Sequence, residues 1–255
     1  MQPPHQLVGR IGRILRAASQ SEPHGLTTTE LATATELARP TAHRLLTALQ
    51  AEGLVDRDAA GRWLLGPETF LLGNAAAKRY DVSDLARTSL RRLSEATAES
   101  AFFSARRGEE TICLVREDGS FPIRSHVLHE GIRFPLGVAS AGLVILAYLP
   151  EREVTTHLAE HDLCGKFGPD HAPGPLQERL VATRRTGWAL NPGLIVEGSW
   201  GMAAAVFDAD DRPQWALSLT GIERRFDPDR RPELGRLLLH EAHDLTRRIR
   251  RFRAQ

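Results

Sequence analysis

Thr41, His43 and Arg44 crowd the start of the stretch LARPTAHRLLTALQAEGLV, Leu37 to Val55, and no acid follows them until Glu52. Ala42, Leu45, Leu46 and Leu49 repeat at i, i+3, i+4 and i+7, so they predict a helix of about three turns with one apolar face. A helix that keeps donors at its N-terminal end and acids away from it suits a polyanion. Phosphate repels carboxylates there, while hydroxyl, imidazole and guanidinium groups contact phosphate oxygens and base edges. Thr41 suits a phosphate, and Arg44 suits a phosphate or a guanine O6/N7 edge. Arg39, at the helix entrance, has the same potential. A solvated helix face is the plain alternative.

The elements around this helix fit the same use. Val8, Ile11, Ile14 and Leu15 predict a first helix over Val8–Ser19. Thr27 and Glu30 have capping-box spacing and predict a second, short helix with Leu31 and Ala32 inward. ELAR makes a tight connection. Pro40 opens the third helix, where its missing N–H costs nothing, and Gly53 ends it. LVDRDAAGRWLL then reads as a β-hairpin turning at Asp58–Gly61. Three helices and a hairpin with a short turn between helices two and three form the winged helix-turn-helix pattern. Thr27 and Thr28 sit where a backbone phosphate would pass, although Thr27 also serves as a cap. Arg57 and Arg62 flank the hairpin tip, as surface arginines or as reach toward the minor groove or phosphate.

The rest of the chain changes character. Pro67 to Asp81 reads as a connecting helix, and VSDLARTSLRRLSEATAES as an amphipathic helix with Leu85, Leu90 and Leu93. TICLVRE and FPIRSHVL are strand-like. Ala139–Leu149 is an apolar helix with a small-residue start. Two further helices follow, PEREVTTHLAEH and PLQERLVATRRTG, the second ending at Gly187. GMAAAVFD and PQWALSLTGI pair around the turn ADDR. A last helix carries Leu234, Leu237, Leu238, Leu245, Ile249 and Phe252 on one side, with C-terminal arginines suited to a helix end. Antiparallel strands with helices packed on them predict an α+β domain.

Composition narrows the function class. The 255 residues are 42% hydrophobic and 25% charged, as in soluble globular proteins. No apolar run reaches a membrane span, and residues 1–20 lack a signal-peptide pattern. Two cysteines, Cys113 and Cys164, make no disulfide framework, so a reducing cytoplasm is expected. The net charge of +1 argues for no partner by itself; basic groups must act by placement. There is no G-x-S-x-G, H-E-x-x-H or glycine-rich phosphate loop, and Cys113 lies in an apolar strand, so no enzyme is expected. His157 and His161 stand at a workable i, i+4 ligand spacing near Cys164 and His171. The chain has ten histidines and no second paired motif, so neither a metal nor any other cofactor is assigned.

LARPTAHRLLTALQAEGLV, FPLGVASAGLVILAYLP and AAAVFDADDRPQWALSLTGIERRF fall in the order and spacing of one family. With these segments the chain, from about Leu7 to Arg250, resembles the IclR family of bacterial transcriptional regulators. The resemblance implies a winged helix at 1–66, a linker helix at 67–81, and a GAF-like α+β effector-binding domain at 82–255. It also implies double-stranded palindromic operator DNA, a small-molecule effector, and assembly as a dimer or dimer of dimers. Ser140 and Ala141 match positions where helix-start N–H groups hold a carboxylate, as unpaired donors at a positive dipole end would. Asn191 and Gly201 match two further pocket positions. Ser218 and Thr220 alternate on one strand and share a face, where a ligand oxygen or neighbouring backbone would satisfy their hydroxyls. Phe134, Trp200 and Met202 offer apolar walls or core filling. Three positions depart from the family: Pro40 where Ser is frequent, Leu143 where Lys or Arg is common, and Asn191 where many members carry an acid. A chain that binds ligand and dimerises but no longer reads DNA is the competing function.

Overall fold

The computed structural model describes residues 4–77 and 82–253. Two compact units, Met1–Tyr80 and Asp81–Gln255, divide the chain.

The first unit runs α1 (Pro4–Gln20), α2 (Thr28–Ala34), α3 (Arg39–Ala51), β1 (Val55–Arg57), β2 (Trp63–Leu65) and α4 (Pro67–Ala77). The expected linker helix over 67–81 is described as far as Ala77; positions 78–81 lie outside the described residues. Ile14, Leu31, Leu46, Leu49, Val55 and Trp63 form one buried cluster, with Ile11, Leu15 and Leu45 half-buried against it. Val8 was expected on the buried face and is instead 69% exposed. The inward stripe of α1 is Ile11, Ile14, Leu15 and Ala18, and Val8 falls one turn before the body it packs on.

The second unit opens with α5 (Val82–Thr97), β3 (Ser100–Arg107), β4 (Glu110–Glu117) and β5 (Arg133–Pro135). Helices α6 (Ser140–Ala147), α7 (Glu151–Glu160), α8 (Cys164–Phe167) and α9 (Pro173–Thr186) follow. It closes with β6 (Trp188–Pro192), β7 (Ser199–Phe207), β8 (Pro213–Ile222) and α10 (Arg231–Arg253). The strands form one antiparallel sheet in the order β5-β4-β3-β8-β7-β6.

Alternation along the strands builds two different faces. Phe103, Met202, Leu217 and Leu219 point to α5 and α10, where Leu90, Leu93, Leu238 and Leu245 meet them. The other face is lined by Ala189, Ala203, Ala205 and Ala216. These small side chains let α6, buried along its whole length, lie close on the sheet.

Two expectations fail here. FPIRSHVL, 121–128, forms no strand: Pro122 interrupts it and Ile123 is 59% exposed. The sheet instead uses β3, β5 and β6, which the pattern did not mark. Six of the eight β3 residues are buried, so that strand shows no alternation to read. Phe252, expected among the inward residues of α10, is 49% exposed near the helix end. Among the described residues no helix is long and apolar enough to cross a membrane.

Candidate functional site

The turn between α2 and α3 is fixed by backbone geometry. Leu37 N–H donates to the Ala32 carbonyl at 2.9 Å and Glu36 N–H to Thr33 at 3.2 Å, with Glu36 at φ 53°. This is a Schellman ending with Glu36 in the left-handed position that glycine usually takes. It turns the chain at once into Ala38, the N-cap of α3, which has no side-chain cap. At the other end Gly53, φ 67°, lets the chain leave toward β1.

Along α3, Ala42, Leu46 and Leu49 face inward, leaving Arg39, His43 and Arg44 exposed and Thr41 half-exposed. No acid stands in its first turn. The four side chains therefore share the outer surface at the start of α3.

The supporting residues are more committed. Thr27 caps α2: its Oγ1 accepts from Glu30 N–H at 3.2 Å, while the Glu30 carboxylate accepts from Thr27 N–H at 2.7 Å. The hydrogen bond from Thr27 N–H leads the causes that hold the Glu30 carboxyl below its ordinary pKa. Thr28 Oγ1 accepts the indole N–H of buried Trp63 at 2.9 Å. Arg57 donates to the Gly61 carbonyl at 3.0 Å and lies over the Trp63 ring, 5.3 Å from its centroid. Arg62 donates to the Gly25 carbonyl at 2.9 Å and sits 3.7 Å from Glu30. Both wing arginines thus have partners within their own unit, which the spacing of residues did not reveal.

In the second unit, a cavity opens between the sheet and the start of α6. Ser140, Asn191, Trp200, Gly201 and Thr220 line it together. Gly201 is the close-approach position: a Cβ there would lie 3.2 Å from Ser140 Oγ. Thr220 Oγ1 is buried without a hydrogen-bond partner. Asn191 is already engaged, donating to the Val138 carbonyl at 2.8 Å and accepting Leu194 N–H at 3.0 Å. Trp200 carries Arg231 over its ring at 4.8 Å.

Three expected pocket residues lie elsewhere, as does one expected wall. Ala141 is packed in the cluster beneath α6, because the helix turns it away from the cavity. Phe134 pairs with Thr111 in the β4–β5 ladder and is half-buried among core residues. Ser218 shares the sheet face of Thr220 but lies deeper, fully buried with its hydroxyl unpaired. Met202 alternates to the opposite face and packs with α5 and α10. Sequence reasoning missed the lid residues Val127, Leu128, Ile195 and Ser199. The first three belong to loops without periodicity and Ser199 opens β7; the Ser125 and Ser199 hydroxyls meet at 2.6 Å. The cavity is narrow, about 20 Å³, room for a water or two. Any organic ligand must part these loops.

The sulfur and imidazole groups resolve differently from their spacing. Cys113 is buried, and desolvation, followed by the nearby Glu130 charge, pushes its thiol up to about 12. Such a thiol is no nucleophile at neutral pH. His157 and His161 remain neighbours at the end of α7, their ring centroids 4.5 Å apart. Cys164 and His171 instead line a separate cavity beside His161. His171 Nδ1–H donates to the Phe167 carbonyl at 2.9 Å, and burial, ahead of the Arg179 charge, holds its pKa below the histidine norm.

Comparison with known proteins agrees with both units. Residues 8–59 match the IclR helix-turn-helix domain, and residues 74–247 match the bacterial transcriptional regulator IclR C-terminal domain. The glycerol operon regulatory protein of Streptomyces griseus is 30% identical over 234 residues, covering 89% of each chain. The transcriptional repressor IclR of Escherichia coli is 28% identical over 225 residues, 86% of this chain and 81% of that one. In structure, the Thermotoga maritima IclR superposes with a TM-score of 0.73 at 22% identity, over 96% of this chain and 98% of that one. An IclR homologue from Microbacterium hydrocarbonoxydans, complexed with 4-hydroxybenzoate, gives 0.76 at 20% identity, over 96% and 99%. The chain belongs to the IclR family of bacterial transcriptional regulators, which act on transcription and not as enzymes.

Proposed function

We propose that this regulator binds operator DNA through the start of α3 and that a small organic or aromatic acid, held at the start of α6, sets its affinity. Arg39, Thr41, His43 and Arg44 supply the major-groove surface. Thr28 and the wing arginines Arg57 and Arg62 follow the backbone from positions already fixed by Trp63, Gly61 and Gly25. Thr27 contributes its cap, which holds α2 in register.

One observation carries the effector reading. The Ser140 N–H precedes the first α6 turn bond, Leu143 N–H to the Ala139 carbonyl, and the cavity that Ser140 lines contains an unpaired Thr220 hydroxyl and a glycine wall. Unpaired donors at a helix start favour a carboxylate. The Asn191 amide brings no charge, and Leu128, Ile195 and Trp200 give the ligand an apolar bed. An aromatic acid such as 4-hydroxybenzoate, the ligand of the Microbacterium homologue, fits that chemistry. Ser218, Ala141 and Phe134 lie behind this first layer and shape it indirectly.

The functional division is a winged helix at 1–66, a linker at 67–81 and an effector domain at 82–255. Self-association is supported by exposed Phe70, Leu71 and Leu72 on α4 and Leu7 and Val8 on α1, apolar side chains that a monomer would leave in water. Effector binding then favours one arrangement of two winged helices over another, by no more than its differential affinity for the two. Calorimetric titration with a panel of small acids, 4-hydroxybenzoate first, tests the pocket. Saturable binding at one site per chain is expected; no binding by any acid would remove the reading.

A further inference from the structure

The fold brings Glu109, from the turn between β3 and β4, against His157 of α7 and His161, the residue that caps the end of that helix. One ligating atom from each lies within 4.8 Å of the others. The geometry points to a binding site for a divalent transition metal of the zinc type, separate from the cavity at α6.

The two imidazoles are oriented as ligation needs. His157 Nε2 lies 3.0 Å from the Leu136 carbonyl, which can only accept, so Nε2 carries a hydrogen and Nδ1 turns to Glu109. His161 Nδ1 lies 3.1 Å from the His157 carbonyl, so it donates and leaves Nε2 as the lone pair. Metal-bound histidines characteristically give their other N–H to such an acceptor. The carboxylate is oriented in the same way, since Arg106 stands 3.7 Å from the other Glu109 oxygen and is itself held by Glu153 at 3.0 Å.

Two nitrogens and one carboxylate oxygen select a borderline-soft ion over calcium or magnesium. His157 Nδ1 and Glu109 Oε2 are 2.6 Å apart, in hydrogen-bond contact. A tetrahedral ion with bonds of about 2.0–2.1 Å spans about 3.3 Å between two ligands. Glu109, half-exposed on its turn, must therefore retreat by about 0.7 Å, and the hydrogen of the Nδ1–carboxylate bond is released to solvent as the ion takes its place. Three protein ligands leave a fourth position open to water or an anion. Because His157 also holds the Leu136 carbonyl, an ion here would stiffen the segment that leads into α6 at Ser140.

The test uses the untagged full-length protein, stripped with chelator. Zn²⁺ is titrated calorimetrically and Co²⁺ by its visible absorption. One ion per chain, with a dissociation constant of about 10 μM or tighter, is expected. Glu109→Gln and His161→Ala, each with an unchanged circular dichroism spectrum, should weaken binding at least about tenfold. Cys164→Ser should leave it unchanged. Weaker binding by the parent protein, binding that survives both substitutions, or binding lost in C164S would overturn the site.

Discussion

Ser140 and Gly201 face each other across the cavity so closely that a Cβ on Gly201 would stand 3.2 Å from the serine oxygen. The glycine keeps the floor of β7 clear beneath the start of α6. Gly201→Val fills that space. The expected result is loss of acid binding by at least about tenfold, with the fold and DNA affinity retained, since overpacking here strains a cavity already narrow. Calorimetry of the variant checks the first part and anisotropy on DNA the second.

Arg44 projects from α3 with no acid in the first turn to neutralise it. Arg44→Ala should cost about 1–3 kcal/mol of operator affinity if the guanidinium reads a base, and lower the salt slope by about one if it meets a phosphate. Measuring affinity at several salt concentrations separates the two. Unchanged affinity and slope would remove Arg44 from the interface.

Thr28 carries a structural duty besides its proposed DNA contact. Thr28→Val strips the acceptor from the Trp63 indole N–H and should destabilise the first unit by about 1–3 kcal/mol, the cost of an orphaned buried donor. Thr28→Ser should restore most of it. Thermal unfolding followed by Trp fluorescence and circular dichroism would show the difference.

The Cys113 thiol gives a chemical test of burial. With its pKa raised to about 12 by desolvation, it should resist alkylation in the native protein at pH 8 while half-exposed Cys164 reacts. The raised value also fixes the pH sign. The protonated thiol's contribution to stability is intact below the unfolded thiol pKa of about 8.5 and is lost as pH climbs toward 12. Rapid native alkylation at Cys113 would contradict both statements.

The winged helix was legible because its signals are local. The Thr27–Glu30 capping box, the Ala42–Leu46–Leu49 stripe and Gly53 all act within a few residues of themselves. The cavity was legible only where a residue sits on a regular element, as Ser140, Gly201 and Thr220 do. Val127 and Ile195 come from loops whose positions depend on long-range closure, and no period marks them. Strand β3 was hidden by burial on both faces, and Glu109 stands 48 residues from the His157 it meets. Val8 and Phe252 show the converse: a periodic stripe outruns the core it packs on.

The most direct measurement is fluorescence anisotropy of the protein on DNA from its own upstream intergenic region, against a scrambled duplex, at two salt concentrations and with and without the tightest-binding acid. The account predicts a preference of about 10³-fold for its own DNA, a steep fall with salt, and a shift in affinity when the acid is added. Equal, weak binding to both duplexes in every condition would contradict it.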